Sequence, residues 1–165
     1  MDRQIVCFAI PSLEIALVRL SHPQLRTRPL AVATLDTPRA LIREISPEAE
    51  RDGLHIGMPL DRARRLCPSL QVRLPNPHQV ATATHSIFGV IQRYAPTWEP
   101  LLPGSLLMDL TGTTRLFGTA CDVATKIQTE VLTQFHLEGA AGVGSNKLVA
   151  QTAATLIAPS ELYDV

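Results

Sequence analysis

The run Gly139-Ala140-Ala141-Gly142-Val143-Gly144-Ser145-Asn146-Lys147 comes nearest to a phosphate-handling motif. Its outer glycines match the spacing of a P-loop, but Ser145 and Asn146 stand between the second glycine and Lys147, and no Ser or Thr follows the lysine. A P-loop needs the lysine directly behind that glycine and a hydroxyl behind the lysine to hold magnesium. A dinucleotide fingerprint fails too, because its third glycine position holds Lys147. Two readings stay open. The glycines serve close packing at a strand-to-helix turn, or the helix start and Lys147 together hold one backbone phosphate.

Other chemistry-bearing side chains are scattered. Asp61, Arg62, Arg64 and Arg65 form a charged cluster that reads either as a solvated helix face or as a phosphate contact. Asp109 is a lone acid on the apolar stretch LLMDL, and Ser105 lacks the flanking glycines of a nucleophile elbow. The five histidines have no ligand spacing, and Cys7, Cys67 and Cys121 form no CxxC. A disulfide scaffold, a metal site and a cofactor are therefore not expected, and a reducing, cytoplasmic compartment fits.

The elements that must carry these residues are legible in hydrophobic patterning. Gln4–Ile10 is a short apolar run that reads as a buried strand. Ser12 is placed to cap a helix over Leu13–Leu20, with Leu13, Ala16, Leu17 and Leu20 on its apolar face. A loop follows between Pro23 and Pro29, then strands over 30–34 and 40–45. Ser46-Pro47-Glu48 opens a helix that Gly53 stops, a second helix covers 59–66, and a strand covers 70–74. Beyond the hinge Leu74-Pro75-Asn76-Pro77 the pattern gives a helix over 77–94 and a hairpin of strands 97–102 and 105–110 turning at Pro103-Gly104. A helix over 120–135, a strand over 137–143 and a helix over 146–157 complete the chain. Setting 12–75 aside, the order is βαββαβ plus one helix, an α+β, ferredoxin-like arrangement with a long insertion after its first strand.

Composition bounds the whole. The 165 residues are 45% hydrophobic and 18% charged with a mean hydropathy of +0.13, a globular profile with room for one domain or two small lobes. Fifteen basic and fifteen acidic residues cancel, which argues against gripping nucleic acid by bulk charge alone. The balance is uneven, however: residues 1–75 carry 11 Arg against 8 acids, and residues 76–165 four basic residues against seven acids. No apolar run reaches transmembrane length, and the first ten residues lack a signal-peptide pattern.

Four strings, in this order, carry a resemblance: RDGLHIGMPLDRARRLCPSL at 51–70, RYAPTWEPL at 93–101, LLMDLTGTTRLFG at 106–118 and GAAGVGSNKLVAQTAA at 139–154. The chain resembles the palm and fingers of Y-family (translesion) DNA polymerases across nearly its full length. The resemblance implies a palm at 1–11 and 75–165 and a fingers subdomain at 12–74, with no counterpart of the family's thumb and little finger. It also implies where two-metal chemistry would sit. The family's carboxylates fall at Ala9, Pro11, Gly104 and Ser105, so all four are missing. The ribose gate falls at Glu14, the Tyr and Arg that hold the triphosphate at Pro47 and Glu50, and two later lysines at Gln151 and Ala158. Such a chain is similar to ImuB-type proteins, inactive homologues that act as adaptors in damage-induced mutagenesis. For them the resemblance implies DNA, an error-prone replicative-type polymerase, the sliding clamp and a RecA-related protein as partners. Lys147, Arg62, Arg64 and Arg65 are the DNA-contact candidates, and weak DNA binding is expected of these residues alone. Two alternatives remain: a nucleotidyltransferase that recruits metal through Glu14, Glu99 or Asp109, and a palm-like module that binds only protein.

Overall fold

The computed structural model describes residues 3–165. In chain order the elements are β1 (Ile5–Ala9), α1 (Leu13–Ser21), β2 (Leu30–Ala33), β3 (Ile42–Ile45), α2 (Pro47–Arg51), α3 (Leu60–Leu66), β4 (Gln71–Arg73), α4 (Pro77–Ile91), β5 (Thr97–Leu102), β6 (Ser105–Asp109), α5 (Thr114–Phe117), α6 (Ala120–Phe135), β7 (Ala140–Gly144), α7 (Lys147–Leu156) and β8 (Leu162–Asp164). They divide into two compact units. One joins the stretch through Pro11 to Ala81–Val165, and the other is Ser12–Val80. No helix among the described residues is long and apolar enough to cross a membrane.

The first unit is built on a sheet of order β5-β6-β1-β7-β8. The apolar run at the N-terminus takes the central place because both of its faces are apolar. Ile5, Val6, Cys7 and Phe8 are all buried, and β1 runs antiparallel to β6 on one side and to β7 on the other. Without β8, the order is that of a ferredoxin-like βαββαβ fold, as the sequence predicts. On one face α6 packs against β1 and β7, and Phe88 of α4 meets Trp98 of β5 with ring centroids 4.9 Å apart. On the other face α7 brings Ala150 and Ala154 onto Ile5, Cys7 and Leu107. That approach is close enough that a Cβ on Gly142 would lie 2.3 Å from the Ala150 carbonyl oxygen. The glycine run is thus a packing surface. Its helix start is satisfied internally, because the Asn146 side chain accepts a hydrogen bond from the Val149 N–H at 2.9 Å.

Two elements of this unit are absent from the sequence prediction. The turn of helix α5 is short, and β8 adds parallel to β7 at the sheet edge through only three residues. Neither has an apolar period to announce it. Boundaries also move: α4 ends at Ile91 rather than Tyr94, and β7 begins at Ala140 rather than Leu137.

The second unit holds a sheet of order β3-β2-β4, with β2 antiparallel to β3 and parallel to β4. Ser46 starts α2 as predicted, and its hydroxyl also accepts from the Leu30 N–H at 3.0 Å, which ties the helix to β2. The expectation for Ser12 needs correction. Ser12 precedes α1 in a left-handed conformation, φ 48°, and its side chain caps nothing. The Ile15 N–H instead donates to Glu44 Oε2 at 3.1 Å, so the cap comes from β3, 29 residues away. The buried face of α1 is Leu13, Ile15 and Leu17, while Ala16 and Leu20 are half-buried. Ile15 is drawn inward by a cluster with Leu25, Leu30 and Val32, and the Leu25 in that cluster sits in a 3₁₀ turn, Pro23–Leu25, inside the predicted loop.

Candidate functional site

In the first unit, strand pairing converges the positions at which the resemblance places metal-binding carboxylates. Ala9, last residue of β1, lies directly opposite Ser105, first residue of β6. Cross-strand partners put their Cβ atoms about 4.5–5.5 Å apart, a spacing at which two carboxylates would share a cation. The Ile10 N–H donates to the Gly104 carbonyl at 3.0 Å, which draws the hairpin turn to the same end of the sheet. What meets there is a methyl group, a hydroxyl and a glycine. Gly104 has φ 72°, a left-handed conformation that favours glycine, and with Pro103 it makes the turn. Cys7 lies one step inward on the same face, and burial pushes its thiol up to about 11, with the Ser105 hydroxyl offsetting part of the rise. A neutral thiol and a methyl are not ligands for hard divalent ions, and one neutral hydroxyl brings no negative charge to hold a pair of them. The residues present do not fit the family's metal pair. Among the described residues, no group of three His, Cys, Asp or Glu side chains converges elsewhere.

The far end of the same strands holds a cleft of about 190 Å³, lined by Arg3, Thr97, Trp98, Glu99, Asp109 and Lys147 among others. Here Lys147 Nζ lies 2.7 Å from both carboxylate oxygens of Glu99. The cation that the sequence offers to DNA therefore already has an anionic partner. Asp109 pairs across the sheet with Ile5 and accepts from the Thr111 N–H at 3.0 Å. The Thr111 side chain and that N–H hold the Asp109 carboxyl below its usual range, helped by Arg3 and Lys147. Glu99 and Asp109, the two acids of this unit weighed as substitute metal ligands, are thus engaged in bonds of their own, Asp109 four residues along β6 from Ser105 and Glu99 on β5 opposite Leu107. Gln151 and Ala158 are exposed and uncharged, and the Ala158 N–H donates to Glu161 at 3.1 Å.

To the second unit the resemblance assigns the nucleotide gate and two of the clamp positions. Glu14, at the start of α1, accepts from Arg43 at 3.1 Å. Beside it, burial raises the Glu44 carboxyl, the Ile15 N–H opposes the rise, and the negative charge of Glu14 adds to it. Two carboxylates therefore crowd a helix N-terminus, the kind of place that would otherwise attract a phosphate. Pro47 starts α2, and Glu50 is exposed on it. Of the three arginines on α3, Arg64 is 2.6 Å from Asp36 and Arg65 is paired with Asp61, whereas Arg62 is exposed with no ion pair among the described residues. Sequence reasoning missed Glu44 and the pairing of Lys147 with Glu99. Both partners lie far apart along the chain, with no local spacing to mark them.

Fold and site define an α+β chain on a ferredoxin-like sheet, with an α/β unit inserted after the first strand and with the expected acid positions refilled by uncharged residues. The profile of the impB/mucB/samB family matches residues 10–155. The DNA polymerase IV of Desulfatibacillum aliphaticivorans is 32% identical over 149 residues, covering 88% of this chain and 37% of that protein. That of Alkalilimnicola ehrlichii is 30% identical over 162 residues, covering 98% and 46%. The crystal structure of DinB from Sulfolobus solfataricus shares the fold with a TM-score of 0.91 at 20% identity, over 98% of this chain and 48% of that one. The chain belongs to the impB/mucB/samB family, the Y-family of DNA polymerases. It spans less than half the length of these relatives.

Proposed function

We propose that this chain is a non-catalytic Y-family homologue that binds DNA and acts as an adaptor in damage tolerance and translesion synthesis, with a palm at 1–11 and 75–165 and fingers at 12–74. The observation that supports this most is the pairing of Ala9 with Ser105 at the one place where carboxylates would have to meet. In-line phosphoryl transfer by two metals requires acids that clamp both ions about 3.5–4 Å apart. Here the acid positions, the gate at Glu14 and the clamp positions Pro47, Glu50, Gln151 and Ala158 have all changed together. A single altered position would be compatible with an active enzyme, but this set removes every group on which nucleotidyl transfer depends. Retention of the fold without these groups fits a tethering role.

DNA as the partner is supported by family membership and by the shared fold of a Dbh DNA polymerase insertion ternary complex. Further partners follow the ImuB-type likeness: an error-prone replicative-type polymerase, the sliding clamp and a RecA-related protein, in damage-induced mutagenesis in the cytoplasm. Primer extension with Mg²⁺ or Mn²⁺ tests the central claim. The expected result is no template-directed incorporation. Incorporation that disappears in D109N or E99Q would show instead a working enzyme with substitute ligands.

A further inference from the structure

The arginines of α3 acquire a neighbour that the linear sequence does not show. The turn between β2 and β3 folds against the first turn of α3: the Leu60 N–H donates to the Ala40 carbonyl at 2.9 Å and the Asp61 N–H to the Pro38 carbonyl at 3.0 Å. Arg64 reaches the same turn through Asp36. Arg39, between the two bonded carbonyls, thereby belongs to a turn held against the start of α3, the helix that carries Arg62. Both are exposed, and neither makes an ion pair among the described residues. Arg64 and Arg65, by contrast, are held by Asp36 and Asp61.

We infer that Arg39 and Arg62 form the nucleic-acid contact of the second unit, a two-arginine surface for the phosphate backbone, with Arg64 restrained by Asp36 as a cation that binding can release. The inference rests on the DNA-binding reading above and gives it a location. Guanidinium groups suit phosphate because their planar fork donates two parallel hydrogen bonds, and their charge does not depend on pH in the working range. The proposed contact uses guanidinium groups on a turn and a helix, so it is to phosphate and independent of sequence. Each neutralised phosphate steepens the fall of log affinity against log salt by roughly 0.7 on a single strand. Two free arginines therefore give a slope of about −1.4 for this surface. Asp36 and Asp61 oppose binding, since each pairs with a cation and repels phosphate. Removing the Asp36 charge must then strengthen binding, an effect that a purely structural role for the Asp36–Arg64 pair would not produce.

The test is a fluorescence-anisotropy titration of the full chain with a labelled 20-residue oligothymidylate, from 20 to 200 mM salt. The expected outcomes are a loss of affinity of at least tenfold in R39E/R62E, a smaller loss in R39A/R62A, and a gain in D36N with a slope steeper by about 0.7. K147A, whose cation is already paired with Glu99, leaves the slope unchanged. If the chain binds the oligonucleotide and folded R39A/R62A binds equally well, this surface is not the contact and the DNA-binding reading stands. If the wild-type chain fails to bind even at 20 mM salt, both fall. Weakened binding in D36N overturns the role given to Asp36 and Arg64.

Discussion

At Glu44 one side chain completes the first turn of a helix by bonding a residue 29 positions earlier, and its titration is coupled to folding. Its carboxylate accepts the Ile15 N–H, a donor that the helix start cannot satisfy for itself. Burial raises the carboxyl above its ordinary 4.5, so between that value and the folded one the native chain holds a proton that the unfolded chain has released. The stabilisation from this proton is full below pH 4.5 and is lost as pH rises through the folded value. E44Q keeps an oxygen acceptor but cannot titrate. The wild-type urea midpoint should therefore fall relative to that of E44Q as pH rises from 4.5 through the folded value. E44A removes the acceptor and should lose about 1–2 kcal/mol at neutral pH in the same unfolding measurement. A pH-independent difference between wild type and E44Q would show that Glu44 does not bind this proton. None of this is visible in the sequence, where Ser12 stands in the cap position and Glu44 is the lone acid on a short strand far along the chain.

Among the elements, the contact between β7 and α7 leaves the least room. The run Gly139–Gly144 looks like a phosphate loop because glycines are used both where backbone must approach a phosphate and where it must approach another backbone. In this chain the second use accounts for Gly142, whose added Cβ would meet the Ala150 oxygen at 2.3 Å and the Ala154 nitrogen at 2.4 Å. Those are backbone atoms and cannot rotate away, so G142A should destabilise the chain by about 3 kcal/mol. Gly89 in α4 is the control. A Cβ there meets nothing within 4 Å, and G89A should stabilise by about 0.5–1 kcal/mol through helix propensity alone. Thermal unfolding of the two variants checks both signs, and equal effects would mean that packing against α7 is not what fixes Gly142. Elements with an apolar period or strong punctuation, such as β1, the β5–β6 hairpin and α6, were readable in the sequence, as was the order that makes the sheet ferredoxin-like. Elements that exist through pairing alone were not. β8 is held to β7 by backbone bonds, and Cys121 of α6 donates to Asp164 at its end, 43 residues away. For the candidate site, the sequence offers the positions to which the resemblance assigns acids, because the residue at a position can be read directly. Which cations remain free was not legible, because ion pairs such as Lys147–Glu99 and Arg64–Asp36 form across folded distances.

For the molecule as a whole, the proposed non-catalytic reading rests either on the absent acids alone or on the whole set of altered positions, and restoring acids separates these. Ala9 and Ser105 face each other on β1 and β6, so A9D/S105D would place two carboxylates within reach of one divalent ion, whereas an Asp at position 104 would be strained by φ 72°. Like charges directly opposite each other destabilise a sheet, so the variant should melt below wild type. A ligand that binds only the folded state raises stability by mass action, so Mn²⁺ should restore the loss in the variant and leave the wild-type melting temperature unchanged. Primer extension should nevertheless remain absent. The resemblance assigns the triphosphate to Pro47, Glu50, Gln151 and Ala158, none of which is a cation, and the ribose gate to the acidic Glu14. Electrostatic stabilisation of the transferring phosphoryl group needs those cations as much as the metals. Extension by A9D/S105D would mean that the binding machinery is intact and that only two side chains separate this chain from an active polymerase. Failure of Mn²⁺ to protect the folded variant would mean that the end of the sheet no longer has the geometry for which its pairing argues.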